Sequence, residues 1–257
     1  LFSINVDIVL YDLTTLRFES TREDLGELRK FGYSKEKRSD CTQVVFGLLT
    51  DTDGIPLSFE VHQGSTFEGN TLKDIVDKMR KKFSVRRFIF IADRGLFSAK
   101  NLNHIRNSQG EFIVGLKIGV LKKELQKVFY DISRFEFLNE ELAIWETHLG
   151  EDRCIVTWSK SRAERDRKTR DDILAKIREK LCKKTSRTKS FMTNRNYQKY
   201  LIILDDKKPV MNQQAIDEQA TKDGFFGIIT NVRNLTAKEI VFNYKQLWKI
   251  EDSFGEL

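Results

Sequence analysis

Proline is nearly missing from this chain, with two in 257 residues, and cysteine is scarce, with three. Against nineteen phenylalanines, so little proline excludes a disordered chain and indicates a packed one. Cys41, Cys154 and Cys182 stand far apart with no C-x-x-C, which excludes a zinc motif of the usual spacing and points to a reducing compartment. The three histidines, His62, His104 and His148, form no H-x-x-x-H or H-E-x-x-H pair and read as structural. No G-x-S-x-G, Walker or dinucleotide-binding glycine pattern occurs, which argues against a triad hydrolase, an NTPase and a Rossmann enzyme. Apolar runs fall well short of the roughly 20 residues of a membrane span, and no signal peptide opens the chain. The chain begins at Leu1 instead of Met and ends within or just after a helix, so it reads as a piece of a longer protein.

What is present is a chain 40% hydrophobic and 32% charged, long enough for one large domain or a core with a sizeable insertion. Its net charge of +7 is unevenly spread: residues 151–208 hold 18 Lys/Arg against 9 Asp/Glu, which leaves the remainder slightly acidic. A basic half beside an acidic half suggests a polyanion held near a cation site. The densest basic stretch carries Lys180, Lys183, Lys184, Arg187, Lys189, Arg195 and Lys199 with no acid among them, interleaved with Phe191 and Tyr197. Such a segment suits contacts to several phosphates, and equally describes a solvated loop.

Hydrophobic periodicity predicts a strand over residues 5–12 and a charged loop over 20–40. Two more strands follow, over 43–49 and 55–62, joined through Asp53-Gly54 as a hairpin. An amphipathic helix over 66–83 turns Leu72, Ile75, Val76 and Met79 inward. Residues 87–92 are apolar on both faces, as in a covered central strand. A helix over 98–106 and a strand over 111–117 complete a mixed sheet with helices packed on it. Beyond about residue 119 the pattern changes: strands over 142–147, 153–158, 200–204 and 225–230 surround a long charged helix over 162–184. This basic region reads as an inserted subdomain. A capping box, Thr236 with Glu239, opens a last helix.

Three acids continue apolar rows. Asp12 shares one face of its strand with Val6, Ile8 and Leu10; Asp93 ends the strand 87–92; Glu251 projects between Tyr244 and Leu247 on the last helix, with Trp248 at the border. Taken singly, Asp12 reads as well as the start of a turn with Thr14 and Thr15, and Asp93-Arg94-Gly95 as a turn of its own. Taken together, three carboxylates on core-facing positions call for a cation, and all-oxygen ligation favours Mg²⁺ or Mn²⁺.

Five segments carry a likeness: Tyr11-Asp12-Leu13-Thr14-Thr15-Leu16; the Gly-Ile-Pro-Leu hairpin with His62-Gln63-Gly64-Ser65-Thr66; Ile91-Ala92-Asp93-Arg94-Gly95; residues 223–231, DGFFGIITN; and residues 244–251, YKQLWKIE. In this order, with the acids 81 and 158 residues apart, the chain resembles the DDE transposases of bacterial insertion sequences, in the branch with a β-strand insertion before the Glu. The resemblance implies an α/β fold: a ribonuclease-H-like mixed sheet flanked by helices, with an inserted mostly-β subdomain before the last catalytic helix. Residues 1–118 would be the first part of the core, 119–231 the inserted β-rich basic subdomain, and 232–257 the final helix. It implies that Asp12, Asp93 and Glu251 bind two Mg²⁺, with Mn²⁺ as substitute, and nick transposon ends before a 3′-hydroxyl strand transfer. The implied partners are double-stranded DNA, at transposon ends and target, and a second copy in a synaptic homodimer. No membrane is involved, and the setting would be the prokaryotic cytoplasm, at the nucleoid. DNA contacts are expected from Lys180, Lys183, Lys184, Arg187, Lys189 and Arg195, and from Tyr244 and Trp248 beside the last acid. The chain departs from the family's pattern where Leu247 stands for an Arg three residues after the Tyr, and where Gly255 replaces an Arg after Phe254. Two other readings remain: a metal-dependent nuclease on the same core, and a co-opted fragment that binds DNA without cutting it.

Overall fold

The computed structural model describes residues 8–20, 22, 28–32, 40–66, 71–72, 75–78, 88–96, 98–182, 191, 194–202 and 209–255. In chain order the elements are β1 (Ile8–Phe18), β2 (Thr42–Thr50), β3 (Pro56–Gln63), β4 (Ile89–Ala92), α1 (Ala99–Asn107), β5 (Glu111–Leu116), α2 (Lys123–Phe129), β6 (Glu136–Asn139), β7 (Leu142–Leu149), β8 (Asp152–Ser159), α3 (Lys160–Cys182), α4 (Arg195–Gln198), β9 (Leu201–Ile202), β10 (Val210–Met211), α5 (Gln213–Ala220), β11 (Phe225–Thr230), α6 (Ala237–Lys245) and α7 (Trp248–Gly255). Residues 72 and 75–78 are also helical. The chain divides into two compact units, one of residues 1–117, 146–155 and 227–257, the other of residues 118–145 and 156–226.

Nine strands form one sheet in the order β3-β2-β1-β4-β5-β11-β8-β7-β6. Strand β1 runs antiparallel to β2 and β2 to β3, whereas β4 is parallel to both β1 and β5. This is a mixed sheet, and helices pack on it, as the resemblance implies. In the first unit helices lie on both faces, so all four residues of β4 are buried. One face is marked by Tyr11, whose ring meets Phe90 at 5.4 Å and whose hydroxyl donates to Thr71 Oγ1 at 3.0 Å. Leu72, Ile75 and Val76 are fully buried there, as their spacing predicts. The other face receives α6, which packs on β4 and β5, and α7, which packs on β1 and β2.

The hairpin between β2 and β3 closes as its Asp-Gly pair dictates. Asp51 Oδ1 accepts from the N–H groups of Asp53 and Ile55, each at 2.9 Å, and Gly54 takes φ +85°. At the end of β11, Asn231 replaces a strand with its side chain: its Oδ1 accepts from Phe112 N–H at 2.8 Å and its Nδ2 donates to Gly110 O at 3.3 Å.

Two elements differ from expectation. Strand β1 does not stop at Asp12 but runs on to Phe18, with Thr14 and Thr15 paired to Phe46 and Val45. Threonine is β-branched, and an adjacent apolar strand outweighs its preference for turns. The last helix is two. The capping box forms at Thr236 and Glu239, but the helix breaks at Gln246-Leu247, between α6 and α7. Residues 5–7 of the first predicted strand, residues 67–70, 73–74 and 79–83 of the helix over 66–83 (Met79 among them), and residues 203–204 lie outside the described residues.

The second unit packs α3 through Leu174 and Ile177 against Phe191, Tyr200, Leu201 and Ile216. Its aromatic rings Phe129, Phe135, Trp145 and Phe225 meet with centroids 5.5–5.9 Å apart. Arg170 of α3 pairs with Asp223, both largely buried, beside Gly224 at φ +89°. A Cβ on Gly224 would stand 2.6 Å from Trp158 Nε1, so glycine is required there twice over.

Candidate active site

Register sets the two aspartates just past the same rung. Tyr11 pairs with Ala92 as the last rung between the parallel strands β1 and β4, and Asp12 and Asp93 are the residues that follow. Side chains alternate between faces. Tyr11 points to the face with Thr71, so Asp12 and Asp93 belong to the opposite face, with Leu10 and Ile91. Asp12 lies opposite Leu48, and Thr14 opposite Phe46, so Phe46 shares that face too. The Phe46 ring meets Phe254 of α7 edge-on at 6.3 Å. Glu251 stands three residues before Phe254 on that helix. The β2–β3 hairpin anchors α7: Lys249 Nζ donates to Thr52 O at 2.5 Å and lies 3.8 Å from Asp53 Oδ1.

Helix α6 supplies one more contact. Tyr244 Oη donates to Asp93 Oδ1 at 3.3 Å. Gly115 of β5 makes room for it: a Cβ there would lie 2.6 Å from Tyr244 Oη and 3.0 Å from Arg94 Cβ. A lone glycine inside an apolar strand signals such a close approach. Gly115 stands in none of the matched segments; Lys249 lies two residues before Glu251 in one of them, but its tie to the β2–β3 hairpin is a contact 197 residues apart that no local pattern encodes.

Burial differs from the sequence expectation. Asp12 is half-buried, but Asp93 and Glu251 are exposed. The break before Trp248 resets the helical phase, so Ile250 takes the buried position and Glu251 sits about 100° round from it. The cost of burying a lone carboxylate therefore does not arise at Asp93 or Glu251. Among the described residues, no three His, Cys, Asp or Glu are grouped so as to hold a metal ion. Asp12, on β1, and Asp93, just past the end of β4, are hard oxygen donors of the kind that suits Mg²⁺ or Mn²⁺.

The expected DNA contacts are differently placed. Lys180 is half-buried at the end of α3, its ammonium 5.7 Å from the Phe191 ring centre and 5.2 Å from that of Tyr197. Lys183, Lys184, Arg187 and Lys189 lie outside the described residues, as does the side chain of Arg195, which opens α4. Trp248 is 56% exposed at the start of α7. Tyr244 is half-buried with its hydroxyl on Asp93.

Residues 7–257 match the family model described as "Transposase DDE domain". The chain belongs to the DDE transposase family. Among solved structures it is similar to piggyBac transposase in a synaptic complex with hairpin DNA, at 9% identity and a TM-score of 0.48. That alignment covers 97% of this chain and 40% of the other, so the chain spans less than half its length. Comparison with curated protein sequences finds no match. Among the described residues no helix is long and apolar enough to cross a membrane.

In this transposase domain the approach to α6 is tied down by Arg153 of β8, which is largely buried. Its Nε bonds Glu146 Oε1 at 2.7 Å, and its Nη1 donates to the carbonyls of Val232 and Leu235 at 2.7 and 2.8 Å. Those carbonyls belong to the segment that leads from β11 to the Thr236 cap. The side chain that fixes where the Glu251-bearing helices begin thus comes from a different strand altogether.

Proposed function

We propose that this domain cuts and joins DNA at transposon ends, with Asp12, Asp93 and Glu251 as the ligands of two Mg²⁺ ions. The observation that supports it is the β1–β4 register, whose last rung, Tyr11–Ala92, immediately precedes Asp12 and Asp93, together with the packing of the Glu251-bearing helix α7 on β1. When bound, two such ions activate a water or a 3′-hydroxyl and stabilise the leaving oxygen of an in-line displacement at phosphorus. In this reading the three carboxylates would hold the ions, with Glu251 supplied by α7. Lys180, Lys183, Lys184, Arg187, Lys189, Arg195 and Trp248 are proposed to contact double-stranded DNA, and a second copy to complete a synaptic homodimer. The second unit, at residues 118–145 and 156–226, is read as the insertion that carries the basic charge.

The test is a nicking and strand-transfer assay of the full-length protein on its own element ends with Mg²⁺. Wild type should nick and join. Asp12→Asn, Asp93→Asn and Glu251→Gln should each reduce both steps to background while DNA affinity stays within about twofold. Nicking without joining would make the domain a nuclease; binding with no cut would make it a DNA-binding fragment; equal loss of affinity in Asp93→Asn would remove that residue from the site.

A further inference from the structure

Tyr244 is the eighth residue of α6, yet its hydroxyl donates to a residue 151 positions earlier, Asp93, at 3.3 Å. Three features converge on that bond. Asp93 leaves β4 at its carboxyl end and enters a single 3-10 turn, Arg94–Leu96, so its backbone is fixed while its carboxylate is exposed. Helix α6 packs on β4 and β5, which carries the tyrosine ring over the strand end. Gly115, on β5, leaves open the space in which the hydroxyl sits; any other residue would push a Cβ to 2.6 Å from it. A surface tyrosine whose only task was to meet phosphate would need neither the cleared strand position nor an acid as acceptor.

We propose that Tyr244 is a positioning residue for Asp93: it holds Oδ1 by a charge-assisted hydrogen bond, and so leaves Oδ2 to ligate the divalent cation. This rests on the reading of Asp93 as a metal ligand. An exposed carboxylate turns about its Cβ–Cγ bond among several orientations, and fixing one of them removes an entropic cost from metal binding. Partners that orient a ligand in this way are typically worth about 10- to 100-fold in metal affinity or activity. Gly115 belongs to the same device as the residue that grants the hydroxyl its place. The arrangement also joins the two ends of the site: α6, which carries the tyrosine, is followed after two residues by α7, which carries Glu251.

The test uses the full-length protein, with Mn²⁺ binding followed by the electron paramagnetic resonance of the free ion, and nicking titrated with Mg²⁺. Tyr244→Phe keeps the ring and removes the hydroxyl. Expected are Mn²⁺ affinity weaker by about 10-fold, an apparent KM for Mg²⁺ raised alike, kcat at saturating Mg²⁺ within about threefold, and unchanged DNA affinity. Gly115→Ala should reproduce the metal defect with Tyr244 intact, and the double variant should be no worse than either single one. Unchanged Mn²⁺ affinity in Tyr244→Phe, or a loss of DNA affinity in its place, would overturn the proposal and return the tyrosine to DNA contact. If wild type itself bound no Mn²⁺ and made no nick, the failure would lie with the proposed function and not with Tyr244.

Discussion

Cys154 shows how far one side chain is governed by its surroundings. It is fully buried on β8, and burial, helped by the neighbouring charge of Asp152, pushes its thiol up to about 12. Cys182, at the end of α3, is exposed, and Cys41 is buried. Only a thiolate reacts with an alkylating reagent, so at pH 8 Cys182 should be labelled first in the native protein. Cys154 should react only after unfolding. Mass spectrometry of the alkylated peptides checks the order; early labelling of Cys154 would mean that β8 opens readily. A second residue-scale test concerns Arg170 and Asp223, paired and largely buried within the second unit. Arg170→Ala leaves the carboxylate without its guanidinium and should cost about 3 kcal/mol of stability. Urea denaturation would measure it, and a change below about 1 kcal/mol would show the pair to be better solvated than its burial suggests.

At the scale of elements, Arg153 ties β8 to the segment before α6 through two carbonyls and Glu146. Arg153→Ala should cost about 2 kcal/mol, and the loss should appear as faster amide exchange in α6 and α7. The pair also sets a pH dependence. The hydrogen bond from Arg153, more than its charge, holds the Glu146 carboxyl below its ordinary range, with partial burial opposing. A lowered folded value means that the stabilisation is complete above the unfolded value, about 4.3, and fades as pH falls through the lowered one. Denaturation midpoints between pH 6 and pH 3 should therefore fall less steeply in Glu146→Gln than in wild type. Equal slopes would show that Glu146 titrates alike in the folded and unfolded chain. Most elements could be read from local pattern: β4 from its doubly apolar run, the β2–β3 hairpin from Asp53-Gly54, α6 from its capping box. What could not be read has a physical reason in each case. Nothing in Lys245-Gln246-Leu247 is a glycine or proline, so the break before α7 left no mark. Thr14 and Thr15 look like turn residues until β2 pairs with them. How Asp12 stands relative to Asp93 depends on strand register, which no single segment encodes; the likeness to the DDE family implied that they converge, and the register carries β1 and β4 side by side up to Tyr11–Ala92, one residue before each.

For the whole molecule, charge is the feature to test. The excess of basic residues over 151–208 predicts a steep fall of DNA affinity with salt. Neutralising Lys183, Lys184 and Arg187 together should make the slope of log K against log salt shallower by about 0.9 for each side chain that meets a phosphate. An unchanged slope would assign the segment to plain surface. The division into units has a further consequence for anyone who would transplant the second unit. The chain passes from one unit to the other four times, at 117/118, 145/146, 155/156 and 226/227, so the second unit is no cassette with two ends. Joining Lys117 directly to Gly227 would take away β8, the neighbour of β11, and bare the backbone of a strand whose Ile228, Ile229 and Thr230 are buried. Such a graft would expose an apolar edge for other molecules to zip onto, and should precipitate, whereas a swap that keeps residues 146–155 should stay in solution.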